Sequence, residues 1–189
     1  VALELLDAFG GGIAAPSANR FGRVSPTTAQ HVRDDLGTDV ELVLDGGPSA
    51  VGVESTIVAV TGAAPVVLRV GGVSEERLAD VVGAPLARVT SGEIAAPGTL
   101  ASHYSPVARV ELVAAGEIDA RAARHRADGL TVAVLERPAD TTEYARLLYD
   151  RLRGLDRPGV DVILAVLPAD AGGIGAAVAD RLRRAATGY

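Results

Sequence analysis

Residues 130–155, LTVAVLERPADTTEYARLLYDRLRGL, carry the reading that decides the fold. Leu130 to Leu135 is a short apolar run of strand length. Asp140-Thr141-Thr142-Glu143 then has the spacing of a reciprocal N-terminal cap and opens a helix running through Leu152 to Gly154. The same alternation extends to either side. Arg109 to Val113 reads as a strand and Ile118 to Arg126 as a helix, while Val160 to Leu167 and Ile174 to Ala186 repeat the pair. Strand followed by helix, three times over, implies parallel strands joined by right-handed crossovers. The fold class is α/β.

Ahead of residue 108 the pattern is less regular. Val1 to Phe9 is a short helix stopped by Gly10-Gly11-Gly12. Ile13-Ala14-Ala15 and Glu41 to Asp45 read as strands. Ser25-Pro26 reads as the start of a helix that carries Ala29, Val32 and Leu36 on one face and closes at Gly37. Val53 to Val60 and Pro65 to Val70 read as a hairpin, and Ser74 caps a helix with Glu75 and Glu76 in its first turn. From Val89 to Pro106 nothing is periodic. The expected organisation is one unit over residues 1–95, a linker over 96–107 and a second unit over 108–189.

Composition narrows the function classes. The 189 residues carry 18 Lys+Arg and 24 Asp+Glu, a formal net charge of −6, and every basic residue is arginine. That balance excludes a protein that holds nucleic acid through its overall field, though not a local basic groove. The absence of cysteine removes disulfides, thiolate metal sites and cysteine nucleophiles and fits a cytosolic protein. No apolar run reaches the roughly 18 residues of a membrane span, and Val1 opens without a signal-peptide pattern.

Three segments concentrate chemistry. APSANRFGRVSPTT, residues 15–28, gathers Ser17, Asn19, Ser25 and two arginines in a loop that feeds a helix N-terminus, a setting that favours anions; an ordinary surface loop with a Ser-Pro cap is the other reading. DGGPSAVGVESTIV, residues 45–58, leads a glycine-rich turn into Glu54-Ser55-Thr56, with Ser55 facing away from its neighbours. PVVLRVGG, residues 65–72, sets Arg69 in an apolar strand. Its partner is either a sheet carboxylate, Glu54 or Asp45, or a phosphate or carboxylate ligand. His31 and His125 read as solvated. AGGIGAA, residues 171–177, lacks the full dinucleotide glycine spacing and reads as a packing and capping device. No His/Asp/Glu cluster has metal-ligand spacing, no phosphate-binding loop with lysine exists, and no nucleophile elbow occurs.

These segments, with LRVGGVS and PGTLASHYSP, occur in an order and spacing that closely resemble the threonylcarbamoyl-AMP synthase family. The resemblance implies a YrdC-like catalytic domain, of which residues 1–95 are the second half, then the linker, then a small Rossmann-like accessory domain over 108–189. It implies a cytoplasmic nucleotidyltransferase that joins L-threonine, bicarbonate and ATP into threonylcarbamoyl-AMP and pyrophosphate, with Mg²⁺ shielding the phosphates, in service of tRNA modification and its other proteins. Carried over by motif, Ser17, Ser25, Arg69 and Tyr104 contact ATP. Ala15 (through its backbone) and Ser55 contact L-threonine, with Asn19 and Thr56 in support. The Pro-Thr loop and Lys/Arg-rich motif of the family's first half have no counterpart here. The chain alone is therefore expected to be a poor or inactive synthase, and a non-catalytic nucleotide- or RNA-binding remnant is the alternative. A related carbamoyl-transferring maturation factor is disfavoured by the Rossmann-like tail.

Overall fold

A computed structural model describes residues 1–88, 104–170 and 172–187. Most of the expected linker, including His103, and the first residue of AGGIGAA lie outside them.

The second unit follows its reading closely. Strands β4 (Arg109–Leu112), β5 (Val132–Val134) and β6 (Val162–Ala165) form a wholly parallel sheet in the order β4-β6-β5. Helices α4 (Ile118–Ala127), α5 (Thr141–Leu155) and α6 (Gly173–Ala186) make the crossovers and the closing segment. The Asp140 carboxylate accepts from the Thr142 and Glu143 amides, so it caps α5 as expected. β6 lies between its two neighbours and is buried along its whole length. Its Ile163 and Ala165 pack with Tyr144, Leu148, Tyr149 and Leu152 of α5 and with Val178, Leu182 and Ala185 of α6 in one core, while Val162 and Leu164 pack with Ala122 of α4 in a second. Gly175 explains part of the glycine-rich turn: a side chain there would run into the Asp170 carbonyl.

The first unit departs from its reading in three places. Helix α1 (Ala2–Phe9) forms and ends on Gly10 in the left-handed conformation, but it buries none of its residues. Ile13–Ala15 and Glu41–Asp45 are not strands. Neither pairs with a strand among the described residues, and Ile13, Leu42 and Leu44 lie exposed. Apolar composition alone does not make a strand when no ladder satisfies its backbone. Ser25 is not a helix cap either: helix α2 (Ala29–Leu36) begins three residues later, where Thr28 accepts from the His31 amide.

The expected hairpin is present but shorter, as β1 (Ile57–Ala59) antiparallel to β2 (Val66–Arg69), with an irregularity between Ile57 and Val58. A two-residue strand β3 (Ala87–Arg88) adds parallel to β2, after helix α3 (Glu75–Val82), which Ser74 caps as expected. The two histidines read as solvated are both mostly covered. His31 lies beneath α5, its Nε2 3.6 Å from Asp150, and His125 turns onto Glu111 of β4 at 2.7 Å.

The two units meet through α5 and α6. Gly52, with φ of 76°, lies against the backbone of α5, where a side chain would strike the carbonyls of Ala145 and Arg146. Two turns further along, Arg153 reaches across to the Val24 carbonyl at 2.8 Å and to the Asp35 carboxylate of α2.

Candidate functional site

The 15–28 loop and the 45–56 segment face each other across a cleft of about 470 Å³. Its lining includes Ser17, Ser25, Ser49, Gly52, Glu54 and Tyr149, so both serines assigned to ATP open onto one space. Asn19 stands behind this loop: its side-chain amide donates to the Arg20 and Arg23 carbonyls at 3.0 and 3.1 Å and holds the turn closed. Ala15 lies exposed just ahead of Ser17. Thr56 exchanges hydrogen bonds with the Val73 backbone, tying the end of the serine segment to the chain leaving β2.

Ser55 and Arg69 form a pair on the adjoining sheet. The Arg69 guanidinium donates to the Ser55 carbonyl at 3.1 and 3.0 Å and to the Ser55 hydroxyl at 3.2 Å. The carboxylate partners considered for Arg69, Glu54 and Asp45, are engaged elsewhere: Glu54 with Arg181, and Asp45 with the Gly47 amide. The close run of the two segments depends on Gly71, where a side chain would overlap the Glu54–Ser55 backbone. Arg69 also hydrogen-bonds the Tyr104 hydroxyl. Ser55, Arg69 and Tyr104 therefore form one connected group, although they come from the serine segment, β2 and the interdomain segment.

Tyr104 is buried, the one described non-glycine residue with positive φ (63°). That conformation costs about 1–3 kcal/mol and persists where surrounding contacts over-determine it. Here the ring stacks on Tyr149 with centroids 5.7 Å apart, and the Arg181 guanidinium lies over it at 5.0 Å.

The centre of the arrangement is Glu54. One carboxylate oxygen accepts from Ser25 Oγ at 2.6 Å. The other accepts from Tyr149 Oη at 2.9 Å and from Arg181 Nε at 2.7 Å. Arg181 is fully buried and also donates to the Val70 carbonyl and the Asp180 carboxylate. Burial pushes the Glu54 carboxyl up, but Arg181 and the Ser25 hydroxyl outweigh it and hold it below the usual carboxylate range. Burial, reinforced by the facing Glu54 charge, raises the Tyr149 phenol well above its usual value, so at neutral pH it is a donor. With its proton directed at Glu54, Ser25 presents oxygen lone pairs to the cleft.

Glu54, Tyr149 and Arg181 were not among the residues singled out for the site. The Arg181 signal was present in the helix periodicity. It falls on the Val178–Leu182–Ala185 face of α6, where an arginine must have a buried partner.

Comparison with known proteins identifies relatives of the whole described fold. A family model described as threonylcarbamoyl-AMP synthase, C-terminal domain, matches residues 73–187, and one described as telomere recombination matches residues 1–71. A threonylcarbamoyl-AMP synthase of Pyrococcus abyssi is 38% identical over 211 residues, covering 100% of this chain and 62% of that protein. A crystal structure of P. abyssi Sua5 complexed with L-threonine superimposes with a TM-score of 0.88 at 37% identity, covering 98% of this chain and 61% of that one. A variant with an adjacent histidine and tyrosine replaced by alanine superimposes at 0.90 and 36% identity, covering 98% and 60%. The chain thus spans about three fifths of the length of the relatives it matches. In sequence and in fold, the chain belongs to the threonylcarbamoyl-AMP synthase family.

Proposed function

We propose that this chain supplies the Ser55–Arg69 side of a site that joins L-threonine, bicarbonate and ATP into threonylcarbamoyl-AMP, a nucleotidyl transfer serving tRNA modification in the cytoplasm. The observation that carries the reading is that Ser17 and Ser25 line one cleft, while Ser55, Arg69 and Tyr104 form a hydrogen-bonded group that adjoins it through Glu54, the residue before Ser55. The relative solved with L-threonine supports the substrate. His103-Tyr104 is this chain's one His-Tyr dipeptide, and the paired replacement made in that relative supports a role for it.

In this reading the Ala15 backbone and Ser55 hold L-threonine. Its amine adds to bicarbonate with loss of water, and the resulting carbamate oxygen attacks the α-phosphorus of ATP. The new P–O bond forms as the bond to the bridging oxygen breaks, and pyrophosphate leaves. No covalent enzyme intermediate is needed, so positioning and charge stabilisation do the work. Arg69 meets the phosphates and Tyr104 closes on the nucleotide. Ser17 lines the same cleft, while Ser25 offers an acceptor to a ligand donor. Among the described residues no group of three or more His, Asp or Glu side chains could hold a metal ion. Mg²⁺ needs no such group, since one or two carboxylates, substrate phosphates and water suffice to hold it.

The test is pyrophosphate release from ATP with and without L-threonine and bicarbonate. Release that requires both supports the reading, and release indifferent to threonine overturns it. Arg69→Ala should weaken ATP binding by about tenfold or more, since a hydrogen bond to a charged group is worth about 1.5–3 kcal/mol. In a full-length context, Ser55→Ala should raise the KM for threonine more than that for ATP; equal effects on both would refute the division.

A further inference from the structure

We infer that Arg181 and Tyr149, both carried by the second unit, are positioning residues for the cleft. They hold Glu54, and through Glu54 they fix Ser25 and the loop it belongs to. The inference deepens the proposed function and rests on it for the identity of the ligands, but its geometry stands independently.

Four observations bear on it. First, the Glu54 carboxylate is the meeting point of three elements: Ser25 from the 15–28 loop, Tyr149 from α5 and Arg181 from α6. Second, Arg181 is fully buried, which is rare for an arginine and stable only with its donors satisfied. Its donors go to Glu54, Val70 and Asp180, so two of the three partners belong to the first unit. Third, the Glu54 backbone is tied at the same place: its carbonyl accepts from the Gly72 amide at 2.9 Å. The backbone that carries the carboxylate is therefore anchored next to Ser55. Fourth, the Tyr149 ring and the Arg181 guanidinium also flank Tyr104. The same two side chains thus touch both the carboxylate that orders the loop and the tyrosine assigned to the nucleotide.

A second unit retained only for stability would need none of this. Its own core is complete without Glu54, because Tyr144, Leu148, Leu152, Val178 and Leu182 pack on β6. Tyr144 is the natural control. It lies on the same helix, is equally buried, and donates its hydroxyl to the Val166 carbonyl within its own unit.

The experiment compares Tyr149→Phe with Tyr144→Phe, each of which removes one buried hydroxyl and keeps the ring. Arg181→Met and Arg181→Lys are added where they fold. Two readouts are taken on the chain: amide hydrogen exchange at Arg23, Ser49 and Gly72, whose amides are bonded to Arg20, Thr27 and Glu54, and calorimetric dissociation constants for ATP and for L-threonine. Expected for Tyr149→Phe is exchange at these amides faster by about tenfold, with ATP binding weakened by a similar factor. Tyr144→Phe should lower the melting temperature yet leave the three amides and the ATP affinity unchanged. Arg181→Lys should restore part of what Arg181→Met loses. Equal exchange in the two tyrosine variants, or ATP affinity that tracks melting temperature in both, overturns the inference. If the unsubstituted chain binds neither ATP nor L-threonine, the proposed function fails, and the exchange comparison still decides whether these residues position the loop.

Discussion

Glu54 shows how a residue inside a recognisable motif can have a role the motif does not announce. The Glu54-Ser55-Thr56 run was legible as a polar patch after a glycine turn, and Ser55 stood out because alternation turned it away from its neighbours. Which face met what could not be read, because two of the three side-chain partners of Glu54 lie 95 and 127 residues further along the chain. Of the two kinds of partner open for Arg69, the sheet carboxylates are engaged elsewhere, and its guanidinium meets the Ser55 carbonyl and hydroxyl fourteen residues away. The pH consequence of Glu54 follows from its sign. Its carboxyl lies below its usual value of 4.5 in the folded chain. Its stabilising contribution is therefore fully present above that value and is lost as pH falls through the lower folded-state value. Urea midpoints should drop in this acid window, and the drop should shrink in Glu54→Gln. An identical pH profile in the variant would mean that Glu54 is not charged in the folded state.

At the scale of elements, what was legible tracked how local the determining contacts are. The second unit came through almost whole: three strands, three helices and the Asp140 cap, because capping and periodicity are written within a few residues. In the first unit the apolar stretches Ile13–Ala15 and Glu41–Asp45 resembled strands but lack a paired neighbour among the described residues. Ser25-Pro26 resembled a cap, but Glu54 takes the Ser25 hydroxyl and Thr28 caps the helix instead. The junction between units includes one close backbone approach. At Gly52 the positive φ and the contact with the carbonyls of α5 both exclude a side chain. Gly52→Ala should therefore destabilise by about 2 kcal/mol or more, from backbone strain and overlap together. Chemical denaturation measures this directly. Gly129→Ala, at similar φ but with open space around it, should cost less.

At the scale of the molecule, the second unit is not an appendage. Its α5 and α6 supply the side chains that close around Glu54 and Tyr104, while the first unit supplies the serines and Arg69. The core is distributed unevenly to match: the buried apolar residues lie mostly after residue 103, whereas Leu3, Phe9, Leu42 and Val81 are exposed in the first unit. In the proposed function these two contributions form one site with separate places for nucleotide and amino acid. Two-dimensional NMR of the isotopically labelled chain, titrated separately with ATP and with L-threonine, tests it most directly and detects weak binding. ATP should shift the amide signals of Ser17, Ser25, Arg69 and Tyr104, and L-threonine those of Ala15 and Ser55. Saturable shifts confined to other surfaces, or none at these residues at millimolar ligand, would contradict the claim.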